Sequence, residues 1–549
     1  MAQHWERARD IAAAEGARLE EAAREAVAAR LRAAAAACAV HAPADALAHY
    51  AQALAGGPAP AERVAILAAQ SRLLVQLGRG AAALDASAAA LAEAVRLGEP
   101  EALAIASLCR AQVCVRAERL AEALSLTQSL LERGARATAA QRLEALAIRA
   151  EGLQGGGRLR EADEVLQQAS AAVPPGAPAQ LARIVASRVM LHFQRGSLEE
   201  ARPLAEQALA LYEEAGDVRG AIYMLTRVGA IACMTGRLEE SERVLHAALE
   251  RAAAVGDVDG QRSALLNLVK LLTDRGDADA ALPLLDRGWA LAPDFESPVA
   301  ECVFLHGYFY CNYLRGRLGA ALDDARRVMA LADELCAVYW QVGSAVLVLD
   351  LYLHLGEFAH ADALVEAALA RAHVAEVHQQ WVKIAIRRTG LLLARGELAA
   401  ARAQIAEIAA RGELGPDEDR ARLDLARAQA ALLGGDPAGA LAIVSAYEGA
   451  PTLECWATML ALRLQARAAG AGAHADFDAD AARARAQLQD CRLPALESLV
   501  LRRALADALA ARGLPCKEER SAAHSLRDRL AESLAVDPAR RGAFLARYA

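Results

Sequence analysis

The sequence predicts an all-α fold: a right-handed superhelical solenoid of about 11–13 antiparallel helical hairpins with a 39- or 40-residue repeat. Three observations carry that expectation. Alanine, leucine and arginine dominate a chain that is 55% hydrophobic and 24% charged with only 17 prolines, a composition that favours long helices over strands or disorder. Turn-like anchors recur every 39 or 40 residues, at Gly78, Glu118, Gly157, Gly196, Gly236, Gly276, Gly316, Gly356, Gly396 and Gly435. Five positions after each anchor the residue is small: Ala83, Ala123, Ala162, Ala201, Ser241, Ala281, Ala321, Ala361, Ala401 and Ala440.

Taken in chain order, residues 1–43 read as alanine-rich capping helices, centred on Leu19 to Leu31. Residues 44–490 carry the repeat, and 491–549 read as C-terminal capping helices. Within each unit an apolar run at helical spacing, such as Ala221 to Met234 or Ser263 to Leu272, leads to the anchor glycine. Glycine ends that helix in a left-handed conformation at little steric cost. The second helix starts at once, with a capping box expected from Ser197 and Glu200 and with acids at Glu199, Glu239 and Glu240 near the positive helix end. A second stop, as at Gly98-Glu99, Gly216-Asp217 or Gly256-Asp257, closes the hairpin. Three proline-rich spots, 56–60, 173–178 and 415–419, fall at unit junctions and read as loops between repeats.

A glycine ending the first helix, a large apolar residue two later (Leu159, Leu198, Leu238, Leu318, Phe358, Leu398) and alanine five later resemble the tetratricopeptide repeat, TPR. The 39- or 40-residue spacing is similar to the long variant in the sensor arm of MalT-like regulators and other STAND-type ATPases, over roughly residues 44–450. The closing segment from Ser525 resembles the tail that often ends such arms. The resemblance implies a bacterial signalling context, but it stops at the arm. A phosphate-binding loop needs a lysine after its glycine, and Lys270, Lys383 and Lys517, the chain's three lysines, follow none. Nor does a basic recognition helix appear at either end.

Composition excludes several function classes. A net charge of -8 and a pI near 5.9 argue against direct nucleic-acid binding. The acidic N-terminal stretch does not read as a signal peptide and no run is long enough to span a bilayer, so a cytoplasmic location without membrane association is expected. The ten cysteines show no framework, and no disulfide, metal site or cofactor is expected. His373 and His378 point to different helix faces, Cys302 and Cys311 lie two and a half turns apart, and Gly343-Ser344-Ala345 sits inside a helical run. No catalytic constellation is legible, and the chain is not expected to be an enzyme.

The richest chemistry lies in ECVFLHGYFYCNYLRG, Glu301 to Gly316, within a region from Trp289 to Trp381 that holds 12 of the 22 aromatic residues. In TPR folds the first helix of each hairpin lines the concave groove. Counting back from the anchors, positions 4, 7, 8 and 11 should face the core and positions 3, 6, 10 and 13 the groove. That sends Leu305, Tyr308, Phe309 and Asn312 inward, and Val303, His306, Tyr310 and Tyr313 to the groove. The same columns add Tyr223, Thr226, Lys270, Asp350 and Lys383. Tyrosine joins a large apolar area to a polar tip and recurs in recognition surfaces.

The expected function is a noncatalytic scaffold or adaptor that holds a protein segment in the groove. The alternative is a ligand-sensing arm of a bacterial signalling or transcription-regulatory system, with a small-molecule effector near Tyr310. Asp350 and Arg422, far apart in repeat number, should distinguish an extended ligand from a compact one.

Overall fold

The computed structural model describes residues 21, 24–40, 42–77, 79–117, 119–132, 137–195, 197–291, 298–334, 338–374, 378–411, 417–447, 453–471, 474–489 and 492–549. The anchors Gly78, Glu118 and Gly196, residues 415–416 and residues 1–20 of the expected N-terminal cap lie outside them, and residues 417–419, expected in a loop, begin a helix. Every element among the described residues is an α-helix.

The helices α1 (residues 24–39) and α2 (Pro43–Ala55) precede a series of hairpins. These pair α3 (Pro60–Gln76) with α4 (Gly80–Leu97), α5 (Pro100–Arg116) with α6 (Leu120–Glu132), α7 (Ala139–Gly155) with α8 (Leu159–Ala172), α9 (Pro178–Arg195) with α10 (Leu198–Glu214), and α11 (Val218–Met234) with α12 (Leu238–Ala254). After α13 (Val258–Asp274) and α14 (Ala278–Ala290), α15 (Pro298–Leu314) pairs with α16 (Leu318–Glu334) and α17 (Val338–Leu355) with α18 (Phe358–Val374). Likewise α19 (His378–Ala394) pairs with α20 (Leu398–Ala410), and α21 (Asp417–Leu433) with α22 (Pro437–Ser445). The series ends in α23 (Leu453–Ala468), α24 (His474–Gln489), α25 (Ala495–Ala511), α26 (Lys517–Glu532) and α27 (Pro538–Arg547). This is an all-α helical-repeat solenoid.

Two packed units divide the chain. Unit 1 holds Met1–Ala264 with Leu291–Ser297, and unit 2 holds Leu265–Ala290 with Pro298–Ala549. In each, successive first helices pack side by side, α3 on α5 and α5 on α7 in unit 1, α17 on α19 and α19 on α21 in unit 2.

The anchors work as helix stops. Gly236, Gly276, Gly316, Gly356, Gly396 and Gly435 all have φ between 71° and 79°, a region that costs other residues steric strain. In each turn the next amide reaches back to a carbonyl five residues earlier, as Arg237 to Ala232 at 2.8 Å and Arg317 to Asn312 at 2.8 Å, which satisfies carbonyls the helix end would orphan. All ten small residues five positions later are buried. At Ser241 the hydroxyl donates to the Gly229 carbonyl at 2.8 Å, and a Cβ at Gly229 would meet Leu245 at 2.6 Å, so the two helices of a hairpin cross at close range.

One local expectation fails. Ser197 caps nothing with its side chain. Aspartate does this work instead: at the second stops Asp217 accepts from the Gly220 amide at 2.9 Å and Asp257 from Gly260 at 3.1 Å, and after the anchor Gly435 Asp436 accepts from Gly439 at 2.8 Å. Thr138 with Gln141 forms the reciprocal box, Gln141 N to Thr138 Oγ1 at 3.1 Å and Thr138 N to Gln141 Oε1 at 2.9 Å.

In unit 2 the C-terminal helices do two things. Helix α25 packs on α23 and so extends the stack. The same segment also returns to much earlier turns. Leu496, Leu499, Leu530, Leu534, Phe544 and Tyr548 share one apolar core with Phe309, Leu318, Val342 and Leu355. The Leu318 amide donates to Ser533 Oγ at 3.1 Å, Arg540 pairs with Glu357, and the Arg547 guanidinium lies 5.2 Å from the Phe358 ring centroid. The last sixty residues are thus core to the middle hairpins of this unit.

Candidate ligand-binding face of the first helices

Helix α15 explains why one stretch carries so many aromatics. It is packed on more than one side, so its fully buried residues are Cys302, Phe304, Phe309, Cys311 and Tyr313 rather than a single stripe. Phe304 meets Trp289 edge to face at 6.2 Å, and Tyr308, expected inward, is half-buried and donates its hydroxyl to Asp286 at 2.7 Å. Tyr313 is the clearest correction. Expected on the groove, it is buried by α25 and its hydroxyl donates to Glu497, a partner 184 residues away.

Thr226 is corrected as well. It is buried, and its Oγ1 donates to the Ile222 carbonyl of its own helix at 3.0 Å, so it offers nothing to a ligand. Tyr223, in unit 1, is half-buried and carries the Arg227 guanidinium 5.1 Å from its ring centroid.

The remaining five residues belong to unit 2, and their charges converge there. Lys270, exposed near the end of α13, donates to both Asp274 carboxylate oxygens at 2.6 Å. His306 and Tyr310 are half-buried on α15 with ring centroids 5.1 Å apart. Burial, helped by the charges of Lys270 and Lys383, pushes the His306 pKa down to about 4, so its ring is neutral at pH 7. One histidine on α15 therefore senses lysines from α13 and α19.

Asp350 on α17 is internally paired. Arg387 on α19 donates Nε and Nη2 to its two oxygens at 2.9 Å each, and although burial opposes ionisation, that guanidinium holds the carboxyl below its ordinary range. Arg422 on α21 adds to the same effect. Asp350 and Arg422, expected far apart, are two repeats apart and lie within electrostatic reach of each other, so they do not separate an extended ligand from a compact one.

Five further residues complete the face. Burial and the nearby Arg547 charge push His354 down to about 4, and its Nδ1 lies 3.0 Å from the Tyr548 hydroxyl. Glu418 accepts from Arg422 Nε at 2.9 Å; burial would raise its pKa, but Arg422, Arg387 and Lys270 together lower it. Asp419 is buried, and burial raises its pKa against the pull of Lys383 and Arg387. Of these, Arg422 falls in a groove column, thirteen before its anchor. Arg387, His354, Glu418 and Asp419 fall in none of those columns, so only the fold reveals them. The face as a whole presents alternating cations and carboxylates around a tyrosine and two neutral imidazoles. It is chemistry for recognition rather than bond making.

The cysteines point the same way. Burial raises the Cys302 and Cys311 pKa values to about 11 and that of Cys114 to about 12, so these thiols stay protonated and unreactive. Among the described residues no three His, Cys, Asp or Glu side chains gather as metal ligands, and no helix is long and apolar enough to cross a membrane. The side chains of His373 and His378 lie outside the described residues.

A family model described as the MalT-like TPR region matches residues 182–447. Residues 182–447, a little under half of the chain, thus resemble that region, and helical repeats of this type are typically protein-interaction scaffolds. No curated protein matches the sequence. Among solved structures, a Rap protein complexed with competence and sporulation factor is similar at 15% identity and TM-score 0.44, covering 60% of this chain and 95% of that one. The apo form of RapI is similar at 10% identity and TM-score 0.40, covering 62% and 95%. Yeast Tom70 is similar at 12% identity and TM-score 0.35, covering 93% and 97%.

Proposed function

We propose that this protein is a noncatalytic scaffold that captures a protein segment on the faces of its first helices. The observation that carries the reading is the mixed-charge face of unit 2, where Lys270, His306, Tyr310, the Asp350–Arg387 pair, Lys383 and Glu418 come from five successive first helices. A peptide supplies alternating side-chain charges and backbone amides in the form such a surface takes, and TPR-type solenoids use their first helices for that purpose. We place the protein in the cytoplasm of a bacterium, in a signalling pathway, on the resemblance of residues 182–447 to the MalT-like TPR region.

A specific observation favours a second reading, a compact ligand. The charge of Lys270 on α13 is felt at both His306 on α15 and Glu418 on α21, so side chains from separate repeats lie within electrostatic reach of one another. A small-molecule effector would suit that convergence. The two readings part on the mass that co-purifies with the tagged full chain and is lost in Tyr310→Ala: a polypeptide supports the scaffold, an increment of a few hundred daltons supports the compact effector.

A further inference from the structure

Unit 2 contains a cavity of about 450 Å³ that lies away from the mixed-charge face. Its apolar part comes from Leu314 at the end of α15, Leu488 on α24, Leu493 ahead of α25 and Leu526 on α26. Its polar part has an internal symmetry. Arg502 and Ser498 stand one turn apart on α25, and Arg529 and Ser525 stand one turn apart on α26. Both helices thus offer the same Ser-x-x-x-Arg arrangement to one space.

The two guanidiniums are the unusual feature. Arg502 Nη2 donates to the Leu488 carbonyl at 3.2 Å, and Arg529 Nη1 donates to Ser525 Oγ at 3.0 Å. Neither forms an ion pair with a carboxylate among the described residues, whereas Arg387, Arg467, Arg485 and Arg540 each do. Burial and then the like charge of Arg529 hold the Arg502 pKa below its ordinary value. Two cations brought together over an apolar floor lose Coulomb energy unless an anion enters between them. The surrounding segment supports this: residues 491–549 contain eleven Lys and Arg against seven Asp and Glu, in a chain whose net charge is -8.

We propose that this cavity is a binding site for a small amphipathic oxyanion, a carboxylate or phosphate on an apolar chain, clamped by Arg502 and Arg529 with the chain lying on Leu314, Leu488, Leu493 and Leu526. The planar forks match such a head group, which accepts several hydrogen bonds at once. The volume lies in the range of small-molecule pockets. This site is independent of the protein-segment reading, since none of its residues belongs to the face that carries that reading.

Isothermal titration calorimetry of the full chain with octanoate, octyl phosphate and 1-octanol tests it. One-to-one binding of octanoate or octyl phosphate is expected, with no saturable heat from 1-octanol, and the tighter of the two anions identifies the head group. Arg502→Gln weakens that binding by roughly tenfold or more, the loss of a charge-assisted hydrogen bond. The same change removes a like-charge contact, so the melting temperature without ligand stays level or rises. Arg529→Gln, at an exposed position, gives the same weakening without touching a buried group. The proposal is overturned if neither anion binds saturably, if 1-octanol binds as tightly, or if both variants keep the parent affinity.

Discussion

Tyr313 shows how far a single residue can be read from sequence. Its column marks it for the groove, yet α25 buries it and Glu497 accepts its hydroxyl. Tyr313→Phe keeps the ring and removes that bond, so it should cost about 1–3 kcal/mol in chemical denaturation of unit 2. A variant as stable as the parent would show that the bond contributes nothing. His306 and His354 give a pH signature of known sign. Both are held neutral with pKa values near 4, below the ordinary 6.5, so the unfolded chain binds more protons between these limits. Stability is therefore complete above about pH 6.5 and is lost as pH falls toward 4. Measured melting temperatures should decline across that window, and His306→Gln with His354→Gln should flatten the decline. The charges that act on these rings, Lys270 and Lys383 on His306 and Arg547 on His354, come from other helices, which is why nothing at their own positions announced the shift.

At the scale of the element, the repeat was almost fully legible. The ten small residues after the anchors are all buried, and the anchor glycines take the left-handed conformation wherever they are described. Short-range sterics decide both features, and short-range sterics are written in local sequence. The cap expected at Ser197 does not form, because a motif specifies residue types while the bond depends on where the side-chain oxygen lies. Equivalent glycines, however, do not have equivalent surroundings. At Gly396, with φ of 79°, a Cβ would meet nothing within 4 Å, while at Gly316, with φ of 71°, it would strike Leu530 Cδ2 at 2.5 Å and Ala495 Cβ at 2.9 Å. Gly396→Ala should therefore cost about 1–2 kcal/mol, the strain of the left-handed region alone. Gly316→Ala should cost that and a further 1–3 kcal/mol, roughly the penalty of overpacking. Equal losses in denaturant titration would contradict the return of α26 to this turn.

At the scale of the molecule, long-range placement separates what could be read from what could not. The sequence showed two lysines and a histidine in related columns, but not that Lys270 acts on Glu418, nor that Arg387 neutralises Asp350. Those facts depend on how far unit 2 curves from one hairpin to the next, a small rotation per repeat that no single repeat encodes. The C-terminal helices are similar: Phe544 and Tyr548 look like ordinary amphipathic residues and prove to be core of hairpins near residue 350. Phe544→Ala, at a fully buried position, should destabilise unit 2 by about 3–5 kcal/mol. In hydrogen exchange the loss should appear in α17 and α25 and leave α5 and α7 unchanged; uniform loss throughout would mean that the two units unfold as one. The measurement that bears most directly on a recognition role for the mixed-charge face is native mass spectrometry of the tagged full chain, purified gently, beside the Lys270→Glu/Lys383→Glu variant. A co-purifying polypeptide that the variant loses is the expected result. A polypeptide retained undiminished by the variant, or an increment of only a few hundred daltons in its place, would contradict the scaffold.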